Sequence, residues 1–370
     1  MPKAAAPVPQ TPTVQAPPPA TAAQPPVVVE AIPAPVPLAS VPLSTIPAEP
    51  AVPHIALLLP LNSPVFAKAA DAVQQGFLAA AGKEANGLPV RVYPCKDETT
   101  EVATLYQKAL RAGAVAVAGP LTRNGVAALA AQGQITTPTL ALNLVDDTRA
   151  DQLYFFGLPP ETEARQAAQR ATAAGLLSAT IVSTNSPLSK RLAQAFSDEW
   201  QREGGIIQAE IIYDGDPTPL KDLSQEPGTS VFLAAEPDKA RLIRPYITSA
   251  IPVYATSQVF SGNTKTLTNF DLADVRFFDM PWLLQPDHPA VMIYPHVVPP
   301  MTPDLERLYA LGIDAYRLLM VLYQHNSADV LPLDGVTGKI SQSGHVFQRE
   351  GILAVMRQGL GVPVDSKSRQ

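Results

Sequence analysis

The chain has 370 residues, a net charge of −6, 40 prolines and one cysteine. Its acidic balance, with Lys190-Arg191 as the longest basic run, argues against nucleic acid as a partner, and lone Cys95 excludes an internal disulfide or a four-thiolate zinc site. No apolar run approaches the roughly 18 residues of a membrane-crossing helix, and proline interrupts the opening too often for a leader core.

Residues 1–53 hold 16 of the prolines, no glycine, no aromatic residue and only three charges, Lys3, Glu30 and Glu49. Nothing there offsets the entropy of ordering, so the stretch is expected to be a disordered Pro/Ala-rich tail, an extended spacer. The chain from His54 onward is long enough for two lobes, each with its own core.

In chain order, 54–59 is a continuous apolar run suited to a strand buried on both faces. Asn62-Ser63-Pro64 marks a turn with Ser63 as N-cap and Pro64 as the first helical residue, followed by apolar residues at helical spacing from Phe66 to Ala80. Strands over 88–92, 114–118 and 139–142 then alternate with helices over 101–111 and 125–132. A second series has a helix over 161–174, a strand over 180–182, and Asn185-Ser186-Pro187 opening a helix over 188–200. Strands over 206–212, 231–234 and 252–255 and a helix over 238–247 complete it. Beyond these, 275–284 reads as a strand, 303–324 as a helix covered on several sides, 335–348 as a hairpin and 352–357 as a short helix. The predicted fold is α/β: two doubly wound parallel sheets in a bilobal arrangement over 54–361. The first lobe is assigned about 54–158 and 275–331, the second about 159–260 and 336–361, with 362–370 a flexible end.

Ligands of open parallel sheets bind beyond the C-terminal ends of the strands. That rule selects Asn62, Ser63, Pro120, Leu121, Thr122 and Asn143 from the first series, and Asn185, Ser186, Glu236, Ser257 and Gln258 from the second. Hydroxyls and amides suit a carboxylate or sugar, and Glu236 suits an ammonium group; Ser63 and Ser186 are equally good structural caps. No GxSxG, HExxH or P-loop motif occurs, and the histidine spacing matches no metal site, so no catalytic residue, cofactor or metal is assigned. Cys95 reads as a small buried apolar residue. Trp282, in Asp279-Met280-Pro281-Trp282, suits either a core or an interface anchor.

The strand and helix from Ile55, Val117-Ala118-Gly119-Pro120-Leu121, and Leu153 to Leu158 before Glu161-Thr162-Glu163-Ala164-Arg165 resemble a type I periplasmic-binding-protein fold. The stretches from Ser257 to Asn263, from Asp279 to Leu284 and from Arg307 to Leu318, with Gly335-Val336-Thr337-Gly338-Lys339-Ile340-Ser341, are similar to the C-terminal domain of the LpoA family. That resemblance implies a non-enzymatic periplasmic activator, anchored to the outer membrane as a lipoprotein, whose partner is a class A bifunctional penicillin-binding protein. It makes Asp279 and Trp282 candidate partner residues. The Pro/Ala tail stands where better-known members carry a helical-repeat domain, and this sequence has no lipid-bearing cysteine near its start. The alternative is a solute receptor for an amino acid or similar ligand. A cleft with Pro120, which lacks an N–H, and with Glu236 alone to balance an ammonium group predicts no tight amino-acid binding.

Overall fold

The computed structural model describes residues 51–364 apart from 86, 146–149 and 325–329. The expected tail up to residue 50 and the chain end from 365 lie outside the described residues.

A run of small and branched apolar residues without polar alternation gives β1 (His54–Leu59), buried along its whole length. It leads through α1 (Ala67–Ala81), β2 (Val90–Pro94), α2 (Glu98–Arg111), β3 (Ala114–Ala118), α3 (Arg123–Ala130) and β4 (Thr139–Ala141) to β5 (Leu153–Phe155). The chain then crosses into α4 (Pro160–Ala173), β6 (Ser178–Ser183), α5 (Pro187–Arg202), β7 (Ile206–Ile212), α6 (Thr218–Lys221), β8 (Thr229–Ala234), α7 (Pro237–Ile243), β9 (Val253–Ala255), α8 (Thr266–Asn269) and β10 (Val275–Asp279). It returns through α9 (Pro281–Leu284), α10 (Pro289–Met292) and α11 (Pro303–Gln324) to β11 (Leu333–Asp334), β12 (Lys339–Ser343) and β13 (Val346–Glu350), and ends in β14 (Ile352–Arg357) and β15 (Leu360–Pro363).

Two sheets result, ordered β11-β12-β13-β5-β4-β3-β1-β2 and β15-β14-β10-β9-β8-β6-β7. Each is parallel where helices alternate with strands and antiparallel at the end built by the C-terminal hairpins. Apolar cores lie on both faces of each sheet: α1 and α11 pack on one face of the first, α2 and α3 on the other, and α4 with α5 faces α7 across the second. Helices α1 and α11 touch backbone to backbone. A Cβ at Gly76 would collide with the Tyr309 carbonyl oxygen, and one at Gly312 with that of Val73, so only glycine fits at both crossings.

The two lobes exchange strands differently from the sequence-based boundaries. Residues 275–279 form β10 in the second sheet rather than the first, and 333–350 supply β11 to β13 of the first sheet rather than the second. The crossings therefore fall at 156–159, at Met280 and at Gly351. The strand expected over 275–284 stops at Asp279 because Pro281 starts α9. Residues 352–357 are a strand, not a helix, because the run pairs antiparallel with β10. Residues 362 and 363 belong to β15, whose Val362 and Pro363 face Val355 and Ala354, so they are no flexible end.

Candidate functional site

At the strand ends of the first lobe, the donors suited to a ligand anion are already occupied. The Leu121 and Thr122 N–H groups, freed at the start of α3, donate to the two carboxylate oxygens of Glu98 at 2.8 and 2.7 Å. Thr122 Oγ1 caps α3 by accepting from Gly125 N at 3.1 Å. Asn143 Nδ2 donates to the Leu121 carbonyl at 3.1 Å, and the Pro120 carbonyl accepts from Leu142 N at 2.9 Å. Pro120, Leu121, Thr122 and Asn143 thus come together around a carboxylate supplied by the chain itself. Burial pushes the Glu98 carboxyl above the ordinary range, against the lowering pull of those two N–H groups. Asn62 is exposed, and Ser63 Oγ accepts from Val65 and Phe66 N at 3.4 and 3.3 Å, capping the turn before α1 rather than the helix, which begins only at Ala67.

The second lobe repeats the pattern. Ser186 caps α5 through Ser189 N at 3.1 Å, with Pro187 in the first turn, and its hydroxyl donates to Glu236. Thr184 Oγ1 donates to the other Glu236 oxygen at 3.1 Å. Burial raises the Glu236 carboxyl, but these hydroxyls and its own N–H more than reverse that, leaving it below the ordinary range. Asn185 beside it is exposed. Ser257 and Gln258 sit apart from this set, on a short 3₁₀ turn over Ser257–Val259.

That turn belongs to a buried network joining the lobes. Arg307 on α11 forks onto Asp279 at the end of β10, with Nη2 2.7 Å from Oδ2 and Nε 3.2 Å from Oδ1, and Nη2 also donates to the Ser257 carbonyl at 3.1 Å. Ser257 N donates to Glu163 on α4 at 2.7 Å, and the other Glu163 oxygen takes Arg349 of β13. Gln166 bridges the same crossing, donating to the Arg349 carbonyl at 2.8 Å and accepting from Gly351 N at 3.1 Å. Asp314 ties in the return of the chain by accepting from Val336 N, Thr337 N and the Thr337 hydroxyl at 3.2, 2.8 and 2.7 Å. Burial raises the Asp314 carboxyl despite Arg317 beside it. Two ion pairs, Arg307 with Asp279 and Arg349 with Glu163, thus span the lobes with all four side chains buried.

Asp279 and Trp282 present no docking surface. Asp279 is fully buried and Trp282 is 2% exposed, with its Nε1 donating to Glu306 at 2.6 Å. The indole packs on Tyr309 and His296 in the core of the first lobe. Cys95 is buried too, its thiol pushed up to about 12 by burial and then by Glu98, Glu101 and Asp97, so it is no nucleophile.

A concave space lies elsewhere, in a groove of about 980 Å³ between the outer face of α4 and the β12–β13 hairpin. Nothing local in the sequence signals it, because one wall comes from Pro160–Ala173 and the other from Lys339–Glu350, segments joined only by the fold. Among the described residues no cluster of three or more His, Cys, Asp or Glu is placed to hold a metal, and no helix is long and apolar enough to cross a membrane.

Two α/β lobes joined by three crossings define a bilobal periplasmic-binding-protein-like protein. A family model described as "LppC putative lipoprotein" matches residues 36–225 and 221–350, and the chain belongs to that family. It is 29% identical to the penicillin-binding protein activator LpoA of Haemophilus influenzae over 303 residues, which is 78% of this chain and 51% of that protein. It is also 29% identical to LpoA of Vibrio cholerae, covering 80% of this chain and 56% of that one. The chain thus spans about half the length of these curated relatives. The solved LpoA C-domain from H. influenzae, a regulator of PBP1A, superposes with a TM-score of 0.69 at 26% identity, covering 84% of this chain and all of that one. A Chromobacterium violaceum structure named a "putative branched-chain amino acid ABC transporter" gives 0.72 at 36% identity, covering 82% of this chain and all of that one.

Proposed function

We propose that this chain is a non-enzymatic activator that docks on a class A bifunctional penicillin-binding protein and raises its peptidoglycan synthesis. Similarity to LpoA over nearly all the described residues supports the activator class. The observation that carries the choice of docking over ligand sensing is the internal occupation of the strand-end donors by Glu98 and Glu236, backed by the buried ion pairs between the lobes. A receptor that closes on a solute needs free donors and a yielding hinge. In this chain the donors of Leu121, Thr122, Asn143, Thr184 and Ser186 are satisfied internally, and two buried ion pairs link the lobes. The reading places it in the periplasm, held at the outer membrane as a lipoprotein. The test adds the purified chain to a detergent-solubilised class A synthase and follows glycan polymerisation and crosslinking. Faster synthesis, with no turnover by the chain alone, is expected; unchanged rates at saturating chain would sink the reading.

Likeness to the C. violaceum protein favours one competitor, a receptor for branched-chain amino acids. Calorimetry with leucine, isoleucine and valine is expected to show no micromolar binding, and micromolar affinity for any of them would put the receptor first.

A further inference from the structure

The groove-lining residues on the outer face of α4 recur as Thr162, Arg165, Gln166, Gln169, Arg170 and Ala173, the i, i+3, i+4, i+7, i+8, i+11 spacing of one helical stripe. At 1.5 Å per residue this stripe runs about 17 Å, the length of roughly five residues of extended peptide. The opposite wall is the polar face of the β12–β13 hairpin, with Lys339, Ser341 and Gln348.

Charge in this groove is unbalanced. Arg349 is taken by Glu163, and Arg202 by Glu199. Among the described residues Arg165, Arg170 and Lys339 have no hydrogen-bond or ion-pair partner, and Glu350, opposite Lys339 in the hairpin, is the one carboxylate left unpaired on the walls. A chain of net charge −6 thus gathers unpaired cations in a concavity whose two walls come from different lobes. We infer that this groove receives an extended acidic peptide segment of the partner synthase, an inference resting on the docking function proposed above. Gln348 and Ser341 supply side chains suited to peptide amides. The groove's aromatic residues, Phe278 and Phe347, are buried and offer a sugar ring no exposed face, and a concavity cannot meet a flat bilayer. Gln166 lines the groove while bonding the crossing at Arg349 and Gly351, so the interlobe network links its two walls.

The test uses the whole chain and fluorescein-labelled hexaglutamate, read by fluorescence polarisation, with hexaserine and phosphatidylglycerol vesicles as the other probes. Hexaglutamate should bind, should weaken as salt rises, and should lose at least tenfold in affinity, about 1.4 kcal/mol, in the Arg165→Glu/Arg170→Glu variant, whereas Arg165→Lys/Arg170→Lys retains most of it. The same reversal should raise at least tenfold the concentration needed for half-maximal synthase activation. Hexaglutamate binding no tighter than hexaserine, or capture by vesicles in place of hexaglutamate, overturns the groove assignment. So does an unchanged half-maximal concentration for the reversed variant when the wild-type chain activates. If the wild-type chain binds hexaglutamate through Arg165 and Arg170 yet activates no synthase, the acidic-peptide site stands and the activator reading falls.

Discussion

At the strand ends, Glu98 receives two backbone N–H groups and Glu236 two hydroxyls, whereas across the groove the side chains of Arg165, Arg170 and Lys339 pair with no anion among the described residues. Both places are loop-built or concave surfaces, and both carry charges suited to ligand contact. They differ in whether the chain answers its own charge. Where it does, the charge belongs to the architecture and its removal should damage the fold. Where it does not, removal should leave the fold intact and be felt only in binding.

The largest effect is expected at the interlobe network. Asp279→Ala leaves the buried Arg307 guanidinium with only the solvent-exposed Asp304, 2.8 Å from Nη1, as a carboxylate partner, which should cost about 3 kcal/mol in urea unfolding, the low end for a broken buried pair. Pairing Asp279→Leu with Arg307→Met should recover part of that loss, because two apolar side chains bury no uncompensated charge, while the Ser257 and Phe260 carbonyls and Met280 N lose their partners. If the single substitution is neutral, the lobes are not held by this pair.

Glu98→Ala should cost about 1–3 kcal/mol by stranding the Leu121 and Thr122 N–H groups. It should also open an anion site at the start of α3, so that added acetate restores part of the melting temperature of this variant and none of the wild type. A loss smaller than the low end of that range would mean water already serves those donors, and the contrast between loop and groove would narrow.

A pH series sharpens the same point through Cys95. Its folded pKa of about 12 lies above the ordinary 9.0, so its contribution to stability is complete below pH 9 and lost as pH rises toward 12. Denaturation midpoints should fall over that window in the wild type and less steeply in Cys95→Ala. At pH 8 the native thiol should resist a disulfide reagent until the chain is unfolded. The smallest effect belongs to the groove: Arg165→Glu/Arg170→Glu should leave the unfolding free energy within about 0.5 kcal/mol of wild type. A larger loss would assign these arginines to structure.

The alternation of strands and helices was legible because the central strands β1, β3 and β8 are short, mostly apolar runs and the long helices α1, α2 and α5 show their own period. The repeated Asn-Ser-Pro signal located a true cap at Ser186, where cap and helix are neighbours in the chain. It misplaced the one at Ser63, since α1 starts only at Ala67. Contacts spanning the chain left no local trace. Glu98 meets Leu121 23 positions away and Glu163 meets Arg349 186 positions away, and neither acid differs in sequence from a solvated one. The run at 352–357 reads equally well as helix or strand, and only its pairing with β10 decides. Trp282 illustrates the limit of motif reading: the same indole suits a core or an interface, and burial against Tyr309 settled it.

The backbone contact between α1 and α11 bears on how the protein is made. Val73 meets Gly312 only after all the parallel strands of the second lobe have been synthesised, and the first sheet stays incomplete until β13 at Val346–Glu350. At about 5–20 residues per second, β5 waits about 10–40 s and β1 about 15–60 s before the last strand of their sheet is made. The second lobe is in the same position, since β14 and β15 close its sheet last. Neither lobe can be obtained by cutting the chain once, and a ribosome stalled just before β11 would display two unfinished sheets, each with a raw edge open to a chaperone or to a second nascent chain.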